Sequence, residues 1–531
     1  MFVLSERFRS LVIRLFALLR PDPGARMRHV FSMKNSARFP LWPGTLLMTV
    51  LLSAFPADAE AASSPLILKT SDARIQQAFD WAKAQALVYV SSGNEPVRYF
   101  YESALPGRHA FCMRDVSHQA MGAEALGLAI QNKTMLTLFA KAISDSRDWA
   151  GYWEIDQKGK PSTADYVSDN DFWYNLPANF DVMSAALRMY MWTGDADYIT
   201  NPTFLHFYQH TVTDYVQRWQ LGPENVLLRP RIMNRHLTSG KFVNSRGIPS
   251  YTESRIDFNL GTDTLAAEYR ALLWYGELLR MHGKAAAAAK FDTEADGIAH
   301  ILETTAWDEA GHHFYGFLRP DGQKAGSGDA FILYFNAAAA LRQRSASLQQ
   351  LEQQTHEPDP GIEEQSYRPE ILFRSDAPEE AYDQILDLSR PDRKRREYPE
   401  VSYAIIGSMV TGMMGIGVVP ADASGSHALL GGRVVVQTLP RLSIRTEWAE
   451  LDNLPIRHNV INVREERDRS TSVTNLSGPR FTWRATFDGS VPFLHVDGRK
   501  VRTVAGETPD GFPVAYTDVR VPPGQTITVS Q

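Results

Sequence analysis

Residues 260–307 read LGTDTLAAEYRALLWYGELLRMHGKAAAAAKFDTEADGIAHILETTAW and contain two helical patterns joined by a short turn. On both sides of the turn HGKAAA, apolar residues recur three or four positions apart, which is the spacing of one helix face. Two helices joined by so few residues run antiparallel and pack together. This stretch therefore predicts a helical hairpin.

The same pattern recurs over most of the chain, in segments such as SDARIQQAFDWAKAQALVYV, DVSHQAMGAEALGLAI and NFDVMSAALRMYMWTG. Ten or so helices result, with few strands between them. Short connections alternate with long loops rich in Asp, Trp, Tyr and Asn, and no repeat of fixed period is visible. We expect a mainly α fold, a toroid of helical hairpins whose long loops gather at one face.

The pattern changes near Leu429. Segments such as GGRVVVQTLPRLS, RFTWRATFDG and GQTITVSQ alternate apolar and polar residues and are separated by Gly, Pro, Asn and Asp, as in antiparallel strands. We predict a C-terminal antiparallel β-sandwich. The expected domains are an upstream extension with a signal peptide at 1–61, a helical catalytic domain at 62–427 and the β-sandwich at 428–531.

The N-terminal region has the order of a secretory signal. From Met33, a basic start precedes the apolar segment Leu46–Phe55 and a group of small residues, with cleavage expected after Ala59 or Ala61 and translation expected to start at Met27 or Met33. The apolar segment is shorter than the ~20 residues that span a bilayer, so we predict a periplasmic or secreted protein without a stable membrane anchor. The single cysteine excludes an internal disulfide.

The composition narrows the possible partners. The net charge of -6 and the absence of a basic stripe with interleaved aromatic residues argue against nucleic acid. The spacing of the loop aspartates matches no EF-hand, and we predict neither a metal nor a cofactor.

Two polar loops carry candidate substrate-binding residues. In YESALPGRHAFCMRDVSHQ, Arg114 and Asp115 stand at the start of an apolar helix, where Asp115 is either a plain N-cap or part of a site. The loop from Trp153 to Asn179 adds aromatic rings and planar amides, and sugars need this mixture because their faces are apolar and their hydroxyl rims polar. The predicted substrate-binding residues are Glu102, Arg108, Arg114, Asp115, His118, Trp153, Asp171, Trp173, Tyr174, Asn175, Asn179 and Tyr403.

A second candidate region is RREYPEVSYAIIGSMVTGMMGI, residues 395–416. Glu397 and Glu400 precede a long uncharged run, so they are either helix-terminal acids or the rim of an active site. Proline suits the first turn of a helix and disfavours helical geometry in the preceding residue. We therefore expect the helix to begin near Pro399, with Glu397 outside it and Glu400 kept ionised by the helix dipole.

Paired helices, the Arg114–Asp115 pair, NFDVMSAALRMYMWTGD and a C-terminal β-sandwich resemble the six-hairpin glycosidases, (α/α)6-barrel enzymes that include glucoamylases, trehalases and bacterial α-L-rhamnosidases. The resemblance implies that Arg114 and Asp115 hold hydroxyls of the terminal sugar. It also implies that Glu253 or Asp257 is the catalytic acid and that Glu397 or Glu400 is the catalytic base. The large N-terminal β-domain of the family and the rhamnosidase acid motif are absent.

This resemblance predicts an exported, exo-acting and inverting glycoside hydrolase. An inverting mechanism uses one protonated carboxyl group and one carboxylate, ~6.5–9.5 Å apart, on opposite faces of the sugar. Two alternatives remain open: a polysaccharide lyase that recruits His118, Tyr174 and Asn179, and a noncatalytic sugar-binding protein.

Overall fold

The structure is a computed structural model that describes residues 64–103, 105–233, 239–253, 257–319, 321–354, 361–421, 430, 433–508 and 511–531. These residues belong to one compact unit, Asp58–Gln531. The predicted signal peptide and extension lie outside the described residues. Among the described helices, none combines the length and the apolar character that crossing a membrane requires.

The helical part consists of α1 (Ala73–Val88), α2 (Met113–Ala125), α3 (Ala129–Lys141), α4 (Pro177–Thr193), α5 (Pro202–His210), α6 (Thr262–Met281), α7 (Ala285–Ile301), α8 (Asp329–Tyr334), α9 (Leu341–Gln354), α10 (Arg368–Arg374), α11 (Pro378–Ser389) and α12 (Pro399–Ser408). Shorter helical segments are Asp145–Arg147, Asp197–Thr200, Thr211–Tyr215, Val216–Trp219, Val226–Leu228, Leu302–Ala306, Ile362–Gln365 and Met409–Met413. Helices α6 and α7 form the hairpin that residues 260–307 predict.

The even-numbered helices form a closed ring. Helix α2 contacts α4, α4 contacts α6, α6 contacts α8, α8 contacts α10, α10 contacts α12, and α12 contacts α2 again. The odd-numbered helices pack around this ring, as α1 does on α12, α3 on α2, α7 on α6, α9 on α8 and α11 on α10. The alternation of outer and inner helices follows from the hairpin connections.

The inner helices are buried around most of their circumference. Every residue of α4 is buried except Arg188 and Thr193, and every residue of α2 is buried except Arg114. Small residues bring the first and the last inner helix into contact, because a Cβ atom on Gly122 of α2 would overlap the main-chain carbonyl group of Tyr403 in α12. Helices with this many small and apolar residues are stable only inside a core.

The strands form two larger sheets near the C-terminus. The first has the order β1 (Ile67–Thr70), β14 (Trp448–Ile456), β15 (Asn459–Glu466), β16 (Ser470–Ser477), β22 (Thr526–Ser530), β18 (Phe493–Val496) and β19 (Arg499–Arg502). The second has the order β12 (Ile416–Pro420), β13 (Val434–Thr438), β17 (Phe481–Asp488), β21 (Pro513–Val521) and β20 (Val504–Glu507). The two sheets contact each other through β16 and β21.

Small sheets also occur within the long loops of the helical part. They pair β2 (Ala110–Cys112) with β3 (Glu154–Asp156), β4 (Tyr166–Ser168) with β5 (Asp171–Phe172), and β6 (Tyr174–Asn175) with β7 (Arg246–Ile248). A further sheet joins β8 (Leu260–Gly261), β9 (Trp307–Asp308), β10 (His313–Leu318) and β11 (Lys324–Ser327). These pairs fix the long loops to one another.

The structure departs from the expected strand pattern in two respects. Strand β13 pairs with β17 in parallel, because the intervening β14, β15 and β16 belong to the other sheet and the chain returns in the same direction. In addition, β1 and β12 extend these sheets although they precede residue 428, where the sequence predicts the β-domain to start. The coarse prediction of a helical domain combined with antiparallel sheets is confirmed.

Candidate active site

The inner helices α2, α4, α6 and α12 begin at the same end of the ring, where the long loops meet. Tyr251, in the loop before α6, connects several of these starts. Its hydroxyl group donates to Asp181 Oδ2 of α4 at 2.9 Å, and its main-chain N–H donates to Asp263 Oδ2 of α6 at 2.6 Å. The Arg114 guanidinium of α2 lies 5.8 Å from the centre of the Tyr251 ring.

A buried pair of carboxyl groups occupies this end of the ring. Arg114 Nε donates to Asp115 Oδ1 at 3.2 Å, and Asp115 is hydrogen-bonded to Glu400 in the first turn of α12. Asp115 and Glu400 are both buried. The N-cap position of α2 belongs to Cys112, so the interpretation of Asp115 as an N-cap is wrong.

Glu400 lies where α12 begins, at Pro399, as the proline predicts, and Glu397 lies outside the helix. Burial acts against the expectation that the helix dipole keeps Glu400 ionised. Burial, and then the Asp115 carboxylate, raise the pKa of Glu400 well above its ordinary value, although the Arg114 guanidinium opposes them. Two hydrogen-bonded carboxyl groups in one buried place retain a proton between them, as like charges cannot both be desolvated cheaply.

Glu253 stands in the loop that leads to α6 and remains exposed to solvent. Desolvation by the surrounding loops raises the pKa of its carboxyl group, the Asp115 carboxylate adds to this, and Arg114 opposes it. Asn175 and Trp173 lie close to this carboxyl group and oppose the rise in its pKa. Glu253 and Glu400 therefore both lie within the electrostatic influence of Arg114 and Asp115.

Asp257, the alternative catalytic acid, and Glu397, the alternative catalytic base, make other contacts. Asp257 forms an ion pair with Arg319 in a partly exposed position. Glu397 is exposed, and its main-chain carbonyl accepts a hydrogen bond from Tyr89. The guanidinium of the neighbouring Arg396 lies 4.6 Å from the centre of the Trp81 ring and donates to the carbonyl of Ser389.

Some predicted substrate-binding residues lie on the mouth of the ring. Trp173 Nε1 donates to Asn175 Oδ1 at 2.8 Å, and Asn175 Nδ2 donates to the carbonyl of Ser250 at 2.7 Å, which fixes this aromatic wall beside Glu253. The Trp153 ring lies 6.4 Å from that of Tyr251.

Other predicted residues support the site instead of lining it, because protein partners take up their polar atoms. Tyr174 donates to Asn179, whose amide donates to the carbonyl of Trp149 at 3.0 Å. Asp171 accepts from the N–H groups of Lys241 and Phe242. Tyr403 donates to the carbonyl of Ala86.

His118 is buried in the second turn of α2. It stacks on the Tyr367 ring at 3.6 Å, and its Nε2 lies 3.0 Å from Ser366 Oγ. Burial lowers the pKa of its imidazole to about 3. Glu102, another predicted substrate-binding residue, has its Oε1 atom 2.8 Å from Nδ1 of His109.

Arg108 joins two carboxyl groups that the sequence did not single out. Its Nη1 lies 2.8 Å from Glu154 Oε2 and 3.7 Å from Asp165 Oδ2. Burial, then the carboxylates of Glu154 and Glu253, raise the pKa of Asp165 to about 7, while Arg108 and Lys241 oppose them. Asp165 is thus a second protonatable group in the neighbourhood of Glu253.

Tyr251, Asp181 and Tyr367 are also at the mouth and were missed. Burial raises the pKa of Asp181 to about 7, against the hydrogen bond from Tyr251 and the charge of Arg188. A signal existed for Tyr367: YRPE at residues 367–370 begins an inner helix much as YPE at 398–400 does. Within the described residues, no three His, Cys, Asp or Glu side chains are grouped so that they could hold a metal ion.

Comparison with known proteins supports the fold. No protein-family model and no curated protein sequence matches the chain. Among solved structures, it is similar to a GH78 family rhamnosidase of Bacillus sp. GL1, with 13% identity, a TM-score of 0.53, and coverage of 78% of this chain and 41% of that one. It is also similar to an α-L-rhamnosidase from Dictyoglomus thermophilum, with 12% identity, a TM-score of 0.54, and coverage of 88% and 51%.

These likenesses concern the fold. The chain spans about half the length of the two rhamnosidases. The expected resemblance to the six-hairpin glycosidases is confirmed at the level of the fold.

Proposed function

We propose that this protein is an inverting, exo-acting glycoside hydrolase with an (α/α)6 barrel. The observation that carries the proposal is the convergence of Glu253 and the hydrogen-bonded pair Asp115–Glu400 around Arg114. Hydrolysis of a glycosidic bond needs one carboxyl group that holds a proton and another that accepts one. The two environments around Arg114 can supply both.

In the proposed reaction, Glu253 protonates the departing glycosidic oxygen while a water molecule attacks the anomeric carbon from the other face. The proton of that water passes to the Asp115–Glu400 pair, which carries one negative charge as long as it retains a single proton. Bond cleavage, water attack and the two proton transfers balance as addition of one water. Arg114 holds the pair and a sugar hydroxyl group, and Trp173 offers an apolar face to the ring.

The charges at the mouth favour a neutral sugar. Glu253, Asp115, Glu400, Glu154 and Asp165 are carboxyl groups, and a uronate would add another negative charge among them. A lyase would also need an available base, whereas burial holds the pKa of His118 near 3 and raises the pKa of Tyr174 far above its ordinary range. The lyase alternative therefore has less support than hydrolysis.

Export belongs to the same proposal. The signal-like order of residues 33–62 implies a mature protein that starts near Glu60 or Ala62 in the periplasm or the medium. N-terminal sequencing of the mature protein tests this, and an intact cytoplasmic chain starting at Met1 would refute it.

A screen of aryl glycosides and oligosaccharides, starting with α-L-rhamnosides, tests the activity. The anomer released first, followed by proton NMR before mutarotation, decides between inversion and retention. Replacing Glu400 by Gln should lower turnover ~10²–10⁴-fold, whereas the exposed Glu397→Gln serves as the matched control and should retain it. Saturable sugar binding without bond cleavage would favour a noncatalytic sugar-binding protein.

A further inference from the structure

A cavity of about 370 Å³ lies inside the ring of helices, and none of the residues that the proposed reaction uses lines it. Its lining runs from Ser117 and Asp181, in the second turns of α2 and α4, to Val418 of β12. This volume greatly exceeds the ~10–15 Å³ that one water molecule needs. The cavity has room for a small ligand together with water.

Arginine side chains dominate the charge of this cavity. Arg188, Arg270 and Arg374 line it, together with the carboxyl groups of Asp181 and Glu370. Glu370 is committed to Arg188, whose Nη2 lies 2.9 Å from Glu370 Oε1. Asp181 is occupied by the Tyr251 hydroxyl group.

Among the three arginines that line the cavity, Arg270 is unusual in its hydrogen-bond partners. Its Nε donates to the carbonyl oxygen of Phe335 at 2.7 Å and its Nη2 to that of Asn336 at 3.4 Å. Both acceptors are uncharged, and within the described part of the chain no carboxylate is among its hydrogen-bond partners. A guanidinium taken out of water is stable only when its charge is compensated.

The charged neighbours of Arg270 increase the need for a compensating negative charge. Burial lowers the pKa of Arg270 to about 9, Tyr269 opposes the shift, and the guanidinium groups of Arg374, Arg344 and Arg188 lower the pKa further. A pKa of about 9 still leaves the group charged at neutral pH. The interior therefore holds a concentration of positive charge around Arg270.

A hydroxyl group in the same cavity also lacks a partner. Ser184 of α4 is buried and lines the cavity, and its Oγ has no hydrogen-bond partner among the described residues. Guanidinium and hydroxyl donors around one space are what a phosphate, sulfate or carboxylate group binds.

We propose that the cavity inside the ring is a binding site for a small oxyanion, held by Arg270 and Arg188 with the hydroxyl group of Ser184. The ligand class is a tetrahedral or carboxylate anion, and Glu253, Asp115 and Glu400 are not among the residues that line the cavity. The proposal does not depend on the glycosidase activity, and its test needs no substrate.

The experiment measures sulfate, phosphate and acetate binding to the full-length protein by titration calorimetry, with sodium chloride balancing the ionic strength. Concentrations stay below about 10 mM, where general salt effects on protein stability are small. We expect saturable binding with one site per chain and a matching rise in melting temperature. Comparison of the three salts distinguishes tetrahedral anions from carboxylates.

Arg229→Met is the matched control for Arg270→Met. Arg229 is also buried and bonded to main-chain carbonyls, those of Trp219 and Asn259, but it lies outside the cavity. We expect R229M to keep the affinity and R270M to weaken it ~10-fold or more, the value of one charged hydrogen bond. If R270M does not fold, Ser184→Ala should weaken binding instead.

Two results would overturn the proposal. The first is a wild-type protein that shows no saturable binding of any of the three anions. The second is an R270M or S184A protein that folds and binds as tightly as wild type, since the anion would then sit elsewhere.

Discussion

Replacement of Asp115 by Asn should lower activity and at the same time raise stability at alkaline pH. Asp115 lies inside the first turn of α2 and caps nothing, so the substitution leaves the helix start intact. A charge-assisted hydrogen bond to a sugar hydroxyl contributes ~1.5–3 kcal/mol, so its loss lowers kcat/KM ~10–150-fold. Asp115 also shares a proton with Glu400, and the loss of this carboxylate should lower kcat/KM further.

The stability change comes from Glu400. Folding raises the pKa of this carboxyl group, through burial first and the Asp115 carboxylate second. Stability from this group is therefore fully present below the ordinary glutamate pKa and is lost as pH rises through the folded pKa. Without the Asp115 charge the folded pKa falls, and each unit recovers ~1.4 kcal/mol at high pH.

The assay pairs turnover with thermal unfolding at about pH 5, just above the ordinary glutamate pKa, and at about pH 9. Glu124→Gln is the control on the same helix, because burial raises the pKa of Glu124 to about 7 and its side chain accepts from Asn132, far along α2 from the site. The Glu124→Gln variant should become more stable at alkaline pH and keep full activity. Wild-type turnover in D115N, or an equal stability change at both pH values, would refute the reasoning.

The remaining predictions concern Glu253, Asp165 and Gly122. Glu253→Gln should lower turnover ~10²–10⁴-fold, whereas Asp257→Asn, at a partly exposed residue that is paired with Arg319, should stay within a few-fold in the same assay. Asp165→Asn removes a carboxyl group whose pKa is raised to about 7, by burial first. Since coupling between two acids is mutual, the pKa of Glu253 should fall and the alkaline limb of the pH–rate profile should move to lower pH; an unmoved limb would show that the two groups act independently. Gly122→Ala should destabilise the protein by ~1–3 kcal/mol or more in chemical denaturation, while Gly417→Ala, whose Cβ meets no atom within 4 Å, should be close to neutral.

Much of the helical arrangement could be predicted from sequence because its signals are local. Apolar spacing marks α4, α6 and α7, and Pro399 marks the start of α12. Helix α9 was not predicted from the sequence. Its buried positions include Gln343, Arg344 and Ser347, so its inner face is polar and gives no hydrophobic pattern. Helix α10 is too short for a periodic pattern to emerge.

The residues of the candidate site also fall into those with a local sequence signal and those without one. Arg114, Asp115 and Glu400 are recognisable as polar residues that introduce apolar helices. The group of Arg108, Glu154 and Asp165 is not, because its members come from separate loops that only the tertiary fold brings together. The raised pKa of Glu400 also depends on tertiary burial, which the sequence does not show.

The contact between Gly122 and the main chain of Tyr403 joins helices from nearly opposite ends of the helical part. Contacts between residues so distant in sequence form late and slow folding, since the intervening chain must be ordered first. During synthesis, α2 emerges from the ribosome long before α12, and domains of this size fold through intermediates. Asp115 and Glu400 come from α2 and α12, the two helices that meet at this contact. We therefore expect a truncated chain that ends before α12 to leave α2 uncovered and to depend on chaperones.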